Sequence, residues 1–346
     1  MQGAFRTMRA SGIAILLGLS FFGIAAAQNV SKVGTTAGEF LQIGVGARAT
    51  ATGGAFVAAA DDATALYWNP AGLAHIVGGE AVVSHSEWLA DVNFDYLGVT
   101  LAVGSLGTLG ASVTMLSVPE MLVRTEERQE GTGEMFGASD MAVGLSLGRP
   151  ITDRFSVGLT AKFIQQRIWH SSATGFALDI GTQFRTDFFG GLTIGAALYN
   201  FGTDMRMNGR DLRTFVDPDP VQAGNNDRVP VNYELDAWSL PLNLQIGLSL
   251  RPIDTRRNRL TIAVDALHPS SNYESVNAGA EYAFHDRFFL RGGYQALFLP
   301  DAEGGVSGGV GVRQGLFYGG DVRVDYAFRT AGRLGGIHVV GLAVTF

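Results

Sequence analysis

The sequence predicts an all-β fold, a 14-stranded antiparallel transmembrane β-barrel with an N-terminal plug of short helices inside its lumen. Three observations carry that expectation. At the carboxyl end Val340, Leu342, Val344 and Phe346 alternate with Gly341, Ala343 and Thr345, so the last strand has one apolar face and stops on an aromatic residue. Alternation of period two sends successive side chains to opposite faces of a strand. A terminal aromatic is the usual address read by the barrel-assembly machinery, which makes Phe346 the expected assembly signal. From Glu80 onward, strand and turn follow one another with no sustained helical period. At the other end, Arg6 and Arg9 precede an apolar stretch from Ile13 to Ile24 and then Ala25-Ala26-Ala27, the pattern of an export signal.

Taken in order, residues 1–27 are expected to be a signal cleaved before Gln28. Their apolar core is shorter than the roughly 20 residues a spanning helix needs, and no Cys follows to make a lipoprotein. Residues 28–79 are expected to form the plug and residues 80–346 the barrel. The chain has no cysteine, which excludes disulfides, thiolate metal sites and a Cys nucleophile. Its formal net charge of −7 argues against nucleic acid as a partner. Gly accounts for 47 of 346 residues, well above the usual level of roughly 7 %, as an inner wall that must bend around a plug would require. No later stretch supplies 18 consecutive apolar residues, which excludes a helical membrane protein.

Strands are expected at 80–89, 94–103, 109–118, 139–149, 154–168, 174–185, 191–200, 241–251, 259–268, 274–285, 287–297, 305–314, 316–328 and 336–346. The clearest is Leu242, Leu244, Ile246, Leu248 and Leu250 against Asn243, Gln245, Gly247 and Ser249. An even count returns the chain to its starting side, as a barrel with both termini in the periplasm requires. The two longest connections, 119–138 and 201–240, fall on one parity, while the tight ones at 149–153, 284–287 and 314–315 fall on the other. The faces opposite the apolar ones carry Lys162, Asp179, Asp265, Glu281, Arg291, Asp321, Arg323 and Asp325. These belong in the lumen, since Arg or Lys facing lipid at the midplane costs roughly 2–4 kcal/mol. They form either a mutually neutralising lattice beneath the plug or a polar path for a solute.

In the plug, Gly44 to Phe56 is small-sided and Gly-rich, and Asp61 to Leu73 follows. Asp61 or Asp62 can cap a short helix, and Asn69 before Pro70 reads as a second cap with Pro at the first helical position. Arg48 is expected to pair with Asp61 or Asp62, so that Arg48, Asp61, Asp62, Asn69 and Pro70 hold the plug in place. Loop 201–240 carries Met205, Met207, Phe215, Tyr233 and Trp238, more apolar material than solvation needs. It is either a surface for a partner or ligand, or a lid over the mouth. The six His residues, at 75, 85, 170, 268, 285 and 338, show no ligand spacing. Asp217, Asp219, Asn225, Asn226 and Asp227 lack the order of a calcium loop. No nucleophile or acid–base constellation stands out, so neither enzyme activity nor a cofactor or metal is expected.

The run Gly46-Ala47-Arg48-Ala49, then Gly53-Gly54-Ala55-Phe56, Asp61-Asp62-Ala63 and Tyr67-Trp68-Asn69-Pro70-Ala71-Gly72-Leu73 resembles the amino-terminal signature of the PorV/PorQ family of outer-membrane proteins. Those barrels are similar to the FadL family of long-chain fatty-acid transporters, whose plug also contains an Asn-Pro-Ala element, matched here by Asn69, Pro70 and Ala71. The resemblance implies the outer membrane of a Gram-negative bacterium, with lipid and the barrel-assembly machinery as partners. PorV-like members serve type IX protein secretion and handle cargo or partner proteins, whereas FadL-like relatives move hydrophobic small molecules.

Overall fold

A computed structural model describes residues 33–219, 221, 226, 228–316 and 319–346. The signal expected over residues 1–27 lies outside the described residues. Fourteen long strands make the wall: β1 (Gly79–Glu87), β2 (Asn93–Ala102), β3 (Thr108–Leu122), β4 (Met135–Pro150), β5 (Phe155–Ile168), β6 (Ser171–Thr186), β7 (Leu192–Gly202), β8 (Asn243–Asp254), β9 (Asn258–Pro269), β10 (Ser275–Phe284), β11 (Phe288–Leu297), β12 (Val306–Gly315), β13 (Asp321–Thr330) and β14 (Gly336–Thr345). Each pairs antiparallel with the next, and β1 pairs with β14 from Glu80 opposite Thr345 to Glu87 opposite His338, closing the barrel. Closure leaves no strand edge unpaired, the condition for crossing a bilayer with strands.

Period-two patterning sets which face is which. In β8 Leu244, Ile246 and Leu248 are exposed on the outside while Asn243, Gln245 and Ser249 are buried on the inside. The same phase holds in β13, where Val324 and Tyr326 face out and Arg323, Asp325 and Ala327 face in. No helix among the described residues is long and apolar enough to cross a membrane. The spanning surface is the apolar outside of the sheet.

Connections differ at the two ends. One end has tight turns such as 151–154, 255–257 and 285–287. The other carries the long excursion between β7 and β8, which contains a small hairpin pairing Arg213–Val216 with Val229–Asn232. The second long connection is shorter than expected, because β3 and β4 pair beyond a bulge at Val118/Met121 out to Leu122 and Met135. The thirteenth strand starts at Asp321 rather than 316, since Gly319 and Gly320 take positive φ and turn the chain first.

The plug crosses the lumen once, from one mouth to the other. Ala37 N–H donates to Ser239 O in the long loop, and Gly38 N–H donates to Gln166 Oε1 near the end of β5. Short helices follow at Glu39–Gln42, Ala47–Ala51, Ala65–Trp68 and Pro70–His75, and the chain reaches β1 at the tight-turn end. Placing both ends of the chain on that side thus holds for β1 and Phe346 but not for the described start of the plug, which lies at the long-loop mouth. The wall meets the plug through glycine. A Cβ on Gly158 would stand 2.1 Å from the Pro70 carbonyl carbon, and one on Gly181 would stand 2.1 Å from Asn69 Oδ1. Neither position has room for a side chain.

Candidate functional site

Arg48 sits in the short helix Ala47–Ala51, which packs mainly against β12 and β13, so its side chain reaches the charged inner face of the wall. Its Nη1 donates to Asp61 Oδ1 at 2.6 Å and Asp62 Oδ2 at 2.9 Å, both in the plug. Its Nε and Nη2 make a two-pronged contact with Glu281 of β10, at 2.9 and 3.0 Å. Glu281 also accepts from Arg291 at 2.6 Å, Arg291 reaches Asp325 at 2.7 Å, Asp325 meets Arg323 at 2.8 Å, and Arg323 returns to Asp62 at 2.9 Å. The result is a closed ring of alternating charge: Arg48, Asp62, Arg323, Asp325, Arg291, Glu281. Arg251 joins from β8 by contacting Asp61 at 3.1 Å.

Paired geometry of this kind is what lets charges persist away from bulk water. Burial opposes the charge on Arg48, but Asp61, Glu281 and Asp62 overcome it and hold its pKa well above the usual arginine value. Burial likewise works against ionisation of Asp62, and Arg323 and Arg48 win, keeping that carboxyl well below the usual carboxylate range. Asp61 is lowered in the same way, with Arg48 outweighing burial. Arg48 also lies 5.1 Å over the Phe56 ring, a cation–π contact within the plug.

The Asn-Pro-Ala element is fixed on the opposite wall. Asn69 Oδ1 accepts from Ala71 N–H at 3.1 Å as the helix cap, while Nδ2 donates to Val57 O at 2.9 Å and Thr182 O at 3.0 Å. Pro70 occupies the first helical position, where its missing N–H costs nothing. Gln183 donates to Val57 O and Ala60 O and accepts from His75 Nε2 at 3.1 Å. Burial and Arg185 bring the His75 pKa down to about 4.

The remaining luminal charges separate into three places. Lys162 of β5 pairs with Asp179 of β6 at 2.8 Å and also contacts Asn200. Asn200 is left-handed at φ 59°, near a register shift between β6 and β7, and its N–H is taken up by Asp179 Oδ1 at 2.8 Å. Asp265 receives the Phe56 and Val57 N–H groups at 2.7 and 2.9 Å and thereby holds plug backbone. Asp321 shares the inner face of Arg323 and Asp325 but stands at the first residue of its strand, and it joins no ion pair among the described residues. Glu80, which accepts from Ala63 N–H of the plug at 2.9 Å, Gln183 and Arg251 are contacts that reading the sequence missed. Arg251 was detectable, being in phase with Asn243, Gln245, Gly247 and Ser249.

The long loop is both a lid and an exposed surface. Met205 is only 2 % exposed and packs with Phe40, Leu41, Ile164 and Leu240, so it is not part of any partner surface. The apolar start of the plug gives it somewhere to bury. Met207 is half-buried beside that cluster. Phe215, Tyr233 and Trp238 are exposed, with Arg228 lying 5.0 Å over the Phe215 ring. Phe346 is exposed as well, and it exchanges two backbone hydrogen bonds with Gly79 at 2.7 and 2.9 Å. No cluster of potential metal ligands is present among the described residues. Asn225 and Asp227 of the acidic loop lie outside those residues.

Two cavities accompany these features. One, ≈ 160 Å³, lies between plug and wall and is lined largely by amide and aromatic side chains, among them Tyr67, Asn243 and Asn277. The other, ≈ 440 Å³, is apolar and lies at the long-loop rim between Phe136, Ile168, Trp169 and Met207.

Comparison with known proteins gives three results. A model of the family described as type IX secretion system protein PorV matches residues 25–227. No curated protein matches the chain. Among solved structures, the chain is similar to the P. putida toluene transporter TodX at 12% identity and TM-score 0.55, covering 88% of this chain and 99% of that one. It is similar to a Pseudomonas aeruginosa FadL homologue at 12% identity and TM-score 0.53, covering 87% and 96%. The Ralstonia pickettii toluene transporter TbuX matches at 12% identity and TM-score 0.53, covering 87% and 97%. At such identities the likeness concerns the fold alone, a plugged 14-stranded barrel.

Proposed function

The chain belongs to the PorV family, and from that premise we propose that it is a non-enzymatic component of type IX protein secretion in the outer membrane of a Gram-negative bacterium. In this reading the tight turns face the periplasm, and the long-loop mouth faces outward to bind cargo or partner proteins. The observation that carries it, beside family membership, is the exposed apolar and aromatic surface on that mouth, where Phe215, Val216, Tyr233 and Trp238 stand out from the loop. Exposed apolar groups gathered beyond the lipid belt serve contact with another protein rather than with the bilayer.

Plug residues Arg48, Asp61, Asp62, Asn69 and Pro70 act in this reading as the anchor that keeps the lumen filled. Phe346 acts as the assembly signal. The test is quantitative proteomics of periplasm, cell surface and medium with and without the gene. Accumulation of cargo bearing a carboxy-terminal secretion domain in the periplasm is expected, and unchanged cargo would overturn the secretion role.

A second reading, transport of a hydrophobic small molecule, is favoured by the apolar rim cavity. The similar structures TodX and TbuX are described as toluene transporters. Uptake of a labelled aromatic hydrocarbon by vesicles containing the purified barrel distinguishes it from the first.

A further inference from the structure

The cavity between plug and wall has a chemistry suited to neither cargo protein nor hydrocarbon. Its walls come from the plug, through Tyr67 and Trp68, and from β5 and β7 to β11 together with the loop between β9 and β10. At ≈ 160 Å³ it is about ten times what admits a single water, roughly 10–15 Å³. It is also smaller than the roughly 300–1,000 Å³ pockets of drug-sized ligands. The occupant it suits is one compact molecule.

Charge is absent from its recognition surface. The only charged residue among those lining it is Lys162, and Asp179 at 2.8 Å neutralises that ammonium. What remains is amide and aromatic. Asn243 is 7% exposed, its Oδ1 is buried without a hydrogen-bond partner, and no partner is found for its Nδ2. Gln245, two residues on and on the same face, has only a long 3.4 Å contact from Oε1 to the Tyr199 hydroxyl, whose hydrogen goes to Trp68 O, and its amide N–H groups have no partner among the described residues. Two amide groups on one face with unpartnered N–H match a hydrogen-bond acceptor, and a hydroxyl oxygen is such a group. An apolar guest would leave these amides unpaired, which a site pays for heavily. The aromatic side chains of Tyr67, Trp68 and Tyr273 line the same cavity and suit the C–H side of a ring.

We propose that the lumen contains a binding site for a small, uncharged, hydroxyl-rich molecule of monosaccharide size, held by the Asn243 and Gln245 amides against the aromatic side chains of the plug. The site is independent of the secretion role.

The test uses the full barrel in detergent micelles with glucose, galactose and N-acetylglucosamine as probes and toluene as the apolar comparison. Binding is read by saturation-transfer NMR and isothermal titration. Saturable binding of at least one sugar is expected, weakened about tenfold by Asn243→Leu, the size of one hydrogen bond to a neutral group. Tyr273→Ala, on a half-exposed loop residue, is expected to weaken it too and serves if Asn243→Leu fails to fold. Trp169→Ala, at the rim and outside this cavity, is expected to leave it unchanged. Absence of saturable binding by all three sugars would overturn the proposal and leave an ordered-water pocket. So would sugar binding indifferent to both cavity variants.

Discussion

Arg48 and Glu281, 233 residues apart, face each other as a two-pronged ion pair across the boundary between plug and barrel wall, with contacts of 2.9 and 3.0 Å. This pair joins the amino-terminal segment to the sheet. Removing Arg48 leaves Glu281 only Arg291, Asp62 only Arg323 and Asp61 only Arg251 as ion-pair partner among the described residues. Arg48→Ala is expected to destabilise the plugged barrel by about 3–5 kcal/mol, as for removal of one partner from a buried charge pair. Lower melting of the heat-modifiable gel band and faster trypsin cleavage of the plug would be the readouts. Unchanged values for both would refute the anchoring role.

Asn69→Ala removes a helix cap and two donors at once. Loss of the cap costs about 1 kcal/mol, and stranding the Val57 and Thr182 carbonyls adds about 1–3 kcal/mol for each left unsatisfied. Asn69→Asp keeps the acceptor for Ala71 N–H but not the donors, so it is expected to remain as damaging as Asn69→Ala. A thermal series across wild type and both variants settles the order.

Gly158→Val drives a side chain into Pro70 and is expected to cost about 1–3 kcal/mol through overpacking. Gly292→Ala is the matched control, because a Cβ there meets nothing nearer than Ser307 O at 4.0 Å. Equal stability of the two variants would show that the plug does not press on the wall as described.

Acid should loosen the plug in two stages. The His75 pKa is depressed to about 4 from 6.5, so the unfolded chain takes up that proton first. The stability His75 contributes is whole above pH 6.5 and is lost as pH falls towards 4. The depressed Asp62 carboxyl contributes stability that is whole above its ordinary value of 3.8 and disappears only as pH falls below that towards its folded value. Protease protection of the plug measured from pH 8 to 2 is expected to show both windows, with His75→Gln removing the upper one alone.

Met205 and Trp238 exchange backbone hydrogen bonds at 2.8 and 2.9 Å, yet one side chain is buried and the other half exposed. Met205→Ala is expected to destabilise the lid by about 2–5 kcal/mol, the cost of truncating a buried Met. Trp238→Ala is expected to leave stability within about 0.5 kcal/mol while weakening capture of partner proteins by intact cells. Comparing the two by thermal unfolding and by cross-linked partner yield separates lid from surface.

The barrel was legible because lipid outside and a polar lumen inside impose opposite demands on neighbouring residues, which Leu244, Ile246 and Leu248 against Asn243, Gln245 and Ser249 record directly. Strand ends were less so. Leu316 reads as the start of a new strand after a turn at 314–315, but Gly319 and Gly320 turn the backbone before Asp321. Arg48 with Asp61 and Asp62 was within reach because all three lie in one short segment. Glu281, Arg323 and Asp325 could be assigned to the lumen by phase, whereas their meeting in one ring depends on how far each strand is sheared against its neighbour, which no local pattern encodes. Met205 could not be sorted between surface and lid, because an apolar residue in a loop looks exposed until the Phe40–Leu41 segment that covers it is placed.

The route of the plug has a consequence for how such a molecule is made. Residues 33–78 run through the lumen from one mouth to the other before the first strand begins, and they lie too close to Gly158 and Gly181 for any side chain to pass. A cylinder already zipped shut would have to swallow a folded segment end-on through that narrow bore. Biogenesis in the opposite order meets no such obstacle: the sheet curls around its contents, and the seam from Gly79 to Phe346 is sewn last. The carboxyl-terminal strand, paired with β1 along that seam, is then the stitch that seals the plug inside.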